Sequence, residues 1–250
     1  MLFTALPGLA QQPITVAAAS DLSFALPELA RLFEHQSGAP VRTVLGSSGN
    51  LFTQIQNGAP YDVFLSADAM YPRRLADSGK AIGETYTLYA VGRLVLYVRV
   101  DSPLDVARLG KEALLAPSVR RIAIANPAHA PYGAAAVAAL KSWNLYERLQ
   151  PKLVFGENVS QTAQFVLSGN AQIALTAHSV AQAQEGRFAL VPEEAHPPIE
   201  QAAVVVAQSK MQKAARAFVQ FLATPKAQEV LRRYGFQMPK DAGSPNGDSL

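Results

Sequence analysis

An alternation of short apolar runs with segments of helical periodicity, broken off after three rounds and later resumed, constrains this chain more than any other feature. Ile14 to Ala19 reads as a strand, and Leu22, Ala25, Leu26, Leu29, Leu32 and Phe33 follow at helical spacing. Gly38 ends that helix, and Val41 to Leu45 forms the next strand. Gly46 to Asn50 then leads into a short helix, Leu51 to Gln56, stopped by Asn57-Gly58. Val63 to Ser66 and Met70 to Ser78 give a third strand and a third helix. This order implies a parallel sheet flanked by helices. Leu94 to Val100 and Val204 to Ala207 are further β-rich runs. Between them lie the strands Arg121 to Ala125, Leu153 to Phe155 and Ile173 to Thr176, with helices over Gly133 to Trp143 and Val159 to Leu167. Helices Met211 to Leu222 and Pro225 to Tyr234 follow, the last stopped by Gly235. One α/β unit is thus inserted in another, and the chain crosses between them twice. The expected division is lobe I from 13–92 and 197–240, and lobe II from 93–196, with a two-segment hinge.

Composition removes several classes of function. With 250 residues, 49% of them hydrophobic and 16% charged, the chain can form one large domain or two small ones, each with its own core. It has no cysteine, which excludes disulfides, zinc thiolates and cysteine nucleophiles. The net charge is +3, and the pairs Arg73/Arg74, Arg120/Arg121 and Arg232/Arg233 stand apart with no aromatic platform between them. A nucleic-acid footprint needs a basic stripe, and none is visible. Residues 1–12 read as a signal-peptide remnant or a disordered end, with small residues at Gly8 and Ala10 suited to cleavage. No stretch reaches the ~20 apolar residues of a membrane span. The tail 241–250, rich in Gly, Pro, Ser and Asp, reads as disordered.

The chemistry lies in the turns that follow the strands. Ser20-Asp21, Ser47-Ser48-Gly49, Pro127 to Gly133 and Glu157 to Ser160 each precede a predicted helix. In open α/β sheets, ligands collect at the carboxyl ends of the strands. Each helix start presents free N–H groups and a partial positive charge. A cleft lined by four such starts, two from each lobe, suits a small anion without lysine or arginine. Ser20 and Ser48 offer hydroxyls, Tyr132 a phenolic O–H, and Val159 a backbone N–H. Gly49 lets the backbone approach a ligand closely, and Ser47 and Asn158 are further candidates. Asp21 would repel a dianion and is expected to point outward as a cap.

Taken singly, each of these residues is more often a cap or a turn residue than a ligand. Gly46-Ser47-Ser48-Gly49 satisfies neither the hydrolase elbow nor a Walker-type loop. His35, His129, His178 and His196 show no metal-ligand spacing, so no cationic metal site and no cofactor are expected. His129, although inside a candidate turn, reads as an exposed loop residue, and His178 as one that caps or packs. Asp68 reads as the start of the following helix.

Three strings carry a resemblance: Val16-Ala-Ala-Ala-Ser20, Gly46-Ser-Ser-Gly-Asn-Leu51, and Gly58-Ala-Pro-Tyr-Asp-Val-Phe-Leu-Ser-Ala-Asp68. With Asn126-Pro127 to Tyr132-Gly133, Glu157-Asn158-Val159 and Arg233-Tyr-Gly-Phe236, they resemble the molybdate-binding proteins of ABC transporters, from about Ile14 to Phe236. The resemblance implies a periplasmic, two-lobed α/β fold with mainly parallel sheets. It implies a tetrahedral oxyanion, molybdate or tungstate, held by hydrogen bonds and passed to a membrane permease by a monomeric protein. The family's ligands fall on Ser20, Ser48, Tyr132 and Val159. A further tyrosine used by some members falls on Leu175, a departure. Sulfate, phosphate or a small organic anion remains an alternative ligand. A hydrolase using Ser20 or Ser48 would lack an evident base, and a regulator's sensing domain would lack a DNA-binding helix pair.

Overall fold

The computed structural model describes residues 12–239. The readings placed on residues 1–10 and on the tail from 241 lie outside that range. In chain order, β1 (Ile14–Ala19), α1 (Ala25–Ser37), β2 (Val41–Gly46), α2 (Ser48–Gln56), β3 (Val63–Ser66), α3 (Met70–Asp77) and β4 (Ala81–Gly92) build the first unit. The second contains β5 (Leu94–Val98), α4 (Val106–Leu109), β6 (Ile122–Ala125), α5 (Pro131–Ser142), α6 (Tyr146–Leu149), β7 (Leu153–Gly156), α7 (Val159–Leu167), β8 (Ile173–Ala177), α8 (His178–Gln182) and β9 (Arg187–Leu190). The chain then returns through β10 (Ile199–Val206), α9 (Gln212–Leu222) and α10 (Pro225–Arg233) to the first.

Each unit centres on a five-stranded sheet, in the order β2-β1-β3-β10-β4 for the first and β7-β6-β8-β5-β9 for the second. In each, three strands run parallel, and the two added by the crossing segments pair antiparallel. The sheets are therefore mixed, with a parallel half that carries the site. Strands β1, β3, β5, β6 and β8 are buried at every residue, because helices or the other lobe cover both faces. One core packs β1, β3 and β10 against Leu26, Leu29 and Phe33 of α1 and Phe218 and Leu222 of α9. On the opposite face, Leu51 and Ile55 of α2 and Leu75 of α3 meet Ala17, Phe64 and Val204. A third core surrounds the second sheet. The two crossings, one between Gly92 and Leu94 and the other between Leu190 and Ile199, are tied by an ion pair, Arg93 Nη1 to Glu193 Oε1 at 2.9 Å.

Register sets where the functional turns emerge. Ala19 of β1 pairs with Gly46 of β2, so Ser20 and Ser47 leave neighbouring strand ends side by side. Ala125 of β6 likewise pairs with Gly156 of β7, so Asn126 and Glu157 leave together. In the two sheets β1 and β6 have their two parallel partners on opposite sides, the switch point where α/β sheets open a crevice.

Candidate functional site

The four turns converge. They meet at a small cavity between the lobes, lined by Ala19, Ser20, Asp21, Gly46, Ser47 and Ser48 with Ala67 from the first unit, and by Ala130, Pro131, Tyr132, Asn158 and Val159 from the second. Its free volume is about 10 Å³, far below the roughly 300–1,000 Å³ of sites that hold organic ligands. Only a compact group of a few atoms suits it unless the lobes separate. None of the lining residues is a lysine or arginine.

The donors differ in kind. Ser48 is the first residue of α2 and fully buried. Its Oγ accepts the N–H of Ala67 at 2.9 Å, which leaves its one proton for another acceptor. Ser20 opens a 3-10 turn, Ser20–Leu22, while α1 itself begins only at Ala25. The site thus has three helix N-termini and one 3-10 turn, where four helix starts were expected. Val159 is the first residue of α7, behind an Asn158 cap whose side chain accepts the Gln161 N–H at 3.1 Å. The Asn158 side chain is thereby committed to its helix. Ser160, read as a cap, instead donates to the Ser20 carbonyl across the cleft at 3.2 Å. Asp68 does accept the Met70 N–H at the start of α3, at 2.8 Å.

Several expectations change. Tyr132 sits in the first turn of α5 behind Pro131, so its backbone N–H is one of the helix's free donors. Its phenol points elsewhere. A Cβ on Gly92 would lie 2.0 Å from the Tyr132 hydroxyl, which places that hydroxyl against the first crossing segment, where only glycine leaves room. Gly49 does not line the cavity. Its N–H donates to the His129 carbonyl at 2.9 Å, and a Cβ there would come within 2.8 Å of that oxygen. The missing side chain admits the facing loop, and no ligand. His129 is half-buried and reaches across the cleft, its Nδ1 lying 2.9 Å from Ser47 Oγ. His178 packs as expected, with Nδ1 3.2 Å from the Gly235 carbonyl and its ring against Phe188. Leu175 is buried in β8 and does not reach the cavity.

Asp21 is the largest correction. It is 1% exposed, makes no cap, and lines the cavity, so the site is not made of donors alone. Its Oδ2 accepts Gln201 Nε2 at 2.6 Å, and Gln201 Oε1 in turn accepts the Tyr89 hydroxyl at 3.0 Å. Asp21 Oδ1 and the Tyr132 hydroxyl each lack a well-formed hydrogen bond, though they are close enough to perturb one another's proton affinity. Burial pushes the Asp21 carboxyl up to about 6, against the lowering effect of Gln201 and Tyr132. Burial and the nearby Asp21 hold the Tyr132 and Tyr89 hydroxyls well above the usual tyrosine range. This buried cluster was invisible in the sequence because Gln201 is 180 residues from Asp21. A glutamine within an apolar run, in Ile199-Glu-Gln-Ala-Ala-Val204, was the available signal.

Two mixed α/β lobes that close on a small cavity lined by helix N-termini define a two-lobed ligand-binding protein. The chain belongs to the bacterial extracellular solute-binding protein family, whose model matches residues 14–237. It is 39% identical over 233 residues to the molybdate-binding protein ModA of Rhodobacter capsulatus, covering 93% of this chain and 90% of that one. Against the molybdate-binding protein ModA of Azotobacter vinelandii it is 38% identical over 230 residues, 89% of each chain. Among solved structures it is similar to the periplasmic molybdate-binding protein of Azotobacter vinelandii, with a TM-score of 0.85 and 33% identity over 91% of this chain and 100% of that one.

Proposed function

We propose that this protein captures molybdate, and tungstate equally well, between its lobes outside the cytoplasm and presents the loaded, closed form to an ABC permease. The observation that carries this reading is a small cavity where hydroxyl and N–H donors of both lobes meet beside the Asp21 carboxyl, with no lysine or arginine in its wall. The ligands are the Ser20 and Ser48 hydroxyls and the N–H groups of Tyr132 and Val159. Hydrogen bonds to a charged acceptor are worth ~1.5–3 kcal/mol each, so a handful from fixed dipoles offsets dehydration of a dianion. Because the anion joins residues 13–92 and 197–240 to residues 93–196, it favours the closed state by differential affinity. The relatives named molybdate-binding support the choice of anion. Selectivity over sulfate follows from size, and molybdate and tungstate, nearly equal in size, are poorly distinguished. The protein acts as a monomer in the periplasm and carries out no catalysis.

Asp21 favours a second reading. An ionised carboxylate in the lining accepts the proton of hydrogen phosphate, which a site of donors alone would reject. Melting the protein with molybdate, tungstate, sulfate or phosphate separates the two. Ligand at a hundredfold over its Kd adds ~2.7 kcal/mol, or roughly 5–10 °C for a chain of this size. Shifts with molybdate and tungstate alone support the first reading, and a shift with phosphate alone replaces it with the second.

A further inference from the structure

Beside the anion cavity a second set of contacts, made directly from protein to protein, joins the lobes. From the second lobe, the loop before α5 presents His129, and the loop before α7 presents Glu157. From the first lobe, α2 presents Ser47 at its cap, Gly49 and Asn50. Gly49 N–H donates to the His129 carbonyl at 2.9 Å, Ser47 Oγ lies 2.9 Å from His129 Nδ1, and Asn50 Nδ2 donates to Glu157 Oε1. Within the second lobe, His129 Nε2 faces Glu157 Oε2 at 3.9 Å, so the two side chains brace one another. Exposure rises along this series, from Ser47 at 4% to the side chains of His129 at 20% and Glu157 at 54%. The contacts therefore run outward from the cavity wall to solvent.

Two features make this more than incidental packing. The Gly49 N–H is one of the free donors of the α2 N-terminus, and it is directed at a protein carbonyl of the opposite lobe. The backbones approach so closely that a Cβ on Gly49 would stand 2.8 Å from the His129 oxygen and 2.9 Å from its Cα. The residues involved are also sequence neighbours of the proposed ligands: Ser47 and Gly49 flank Ser48, His129 precedes Tyr132, and Glu157 precedes Val159. Any parting of the lobes that frees the anion must break these contacts.

We infer, taking the cavity as an anion site, that His129 and Glu157 with the α2 N-terminus form a latch that sets how slowly the bound anion leaves. His129 acts as a positioning residue: it touches no ligand and holds the second lobe's donors against Ser48. The open form lacks these contacts, so encounter with the anion does not depend on them. The latch acts on release, where most affinity differences between related complexes arise.

The test preloads full-length protein with radiolabelled molybdate and follows release into excess unlabelled molybdate, with Kd from calorimetry. His129→Ala is expected to speed release about tenfold, the worth of one or two hydrogen bonds, while association changes by less than about threefold. Glu157→Ala should give a smaller increase of the same kind. Ser47→Ala combined with His129→Ala should release no faster than the His129 variant alone, because the two share one contact. Gly49→Ala, which blocks the approach sterically, should lose the most affinity; its Cβ would also stand 2.9 Å from the Tyr71 hydroxyl of its own lobe, so its melting point in the absence of anion measures the local share of that loss. Wild-type release from the His129 and Glu157 variants, or a loss confined to association, overturns the latch while leaving the anion site standing. Failure of the wild-type protein to bind molybdate overturns the anion reading and the latch with it.

Discussion

The Asp21 carboxyl receives the Gln201 amide, with lesser help from the Tyr132 hydroxyl and the N–H groups of Asp21 and Leu22, and no cation is among the groups that move its pKa. The titratable groups facing it are the hydroxyls of Tyr132 and Tyr89, while His178 of the adjoining α8 is turned to the Gly235 carbonyl. Raised from 3.8 to about 6, the acid is stabilised with its proton on. Its contribution to folding is complete below about pH 4 and is lost as pH rises through 6. The shift corresponds to on the order of 3 kcal/mol. Asp21→Asn keeps an acceptor for Gln201 and removes the ionisation. The variant should melt above the wild type at pH 8 and match it at pH 4. An anion in the cavity opposes ionised Asp21 further, so wild-type affinity for molybdate should weaken as pH climbs through 6 and that of the Asn variant should stay flat. Parallel calorimetric pH profiles for the two proteins would remove Asp21 from the electrostatics of the site. At this scale the sequence showed which residue types crowd the turns but not where their side chains point. Tyr132 and Asp21 turn towards partners on β4 and β10, far along the chain. Gly49 faces a loop 80 residues later, given by 129 − 49.

Elements were more legible than side chains, because period and end signals are local. The central parallel strands β1, β3, β6 and β8 announce themselves by fully buried apolar runs, and helices by caps such as Asn158 and Thr224. The strand β4 did not. Its twelve residues mix Gly83, Glu84 and several threonines and tyrosines, and two register irregularities against β10 break the alternation a strand usually shows. The strand β10 was recognised only from Val204, since Glu200 and the buried Gln201 interrupt its apolar run. The α2 start was placed at Leu51, three residues late, because serine and glycine read as turn formers. That error matters, since Ser48 lies inside the helix with its proton free. Ser48→Ala removes this donor and orphans the buried Ala67 N–H. The expected outcome is a loss of at least about tenfold in molybdate affinity, with a melting point a few degrees lower, consistent with ~1–3 kcal/mol for an unsatisfied buried group. Unchanged affinity by calorimetry would place the anion away from α2.

For the molecule as a whole, the inserted order of strands and helices already implied two lobes and two crossings, and the sheets follow that plan. What the plan could not give is the state of the cleft. Contacts such as Ser160 to Ser20, Ser179 Oγ to the Asp21 carbonyl at 2.7 Å, and Gly49 to His129 describe lobes that have come together. Closure brings the ends of both parallel half-sheets to one point, so helix dipoles and hydroxyls take the place of formal charge in holding an anion. The most direct test is a crystal structure with molybdate, with the metal located by its anomalous scattering. The signal should fall inside the cavity, with molybdate oxygens in hydrogen-bond range of the Ser20 and Ser48 hydroxyls and of the Tyr132 and Val159 N–H groups. A signal elsewhere, beside Arg73 for example, or an empty cavity at saturating molybdate would contradict the proposed site.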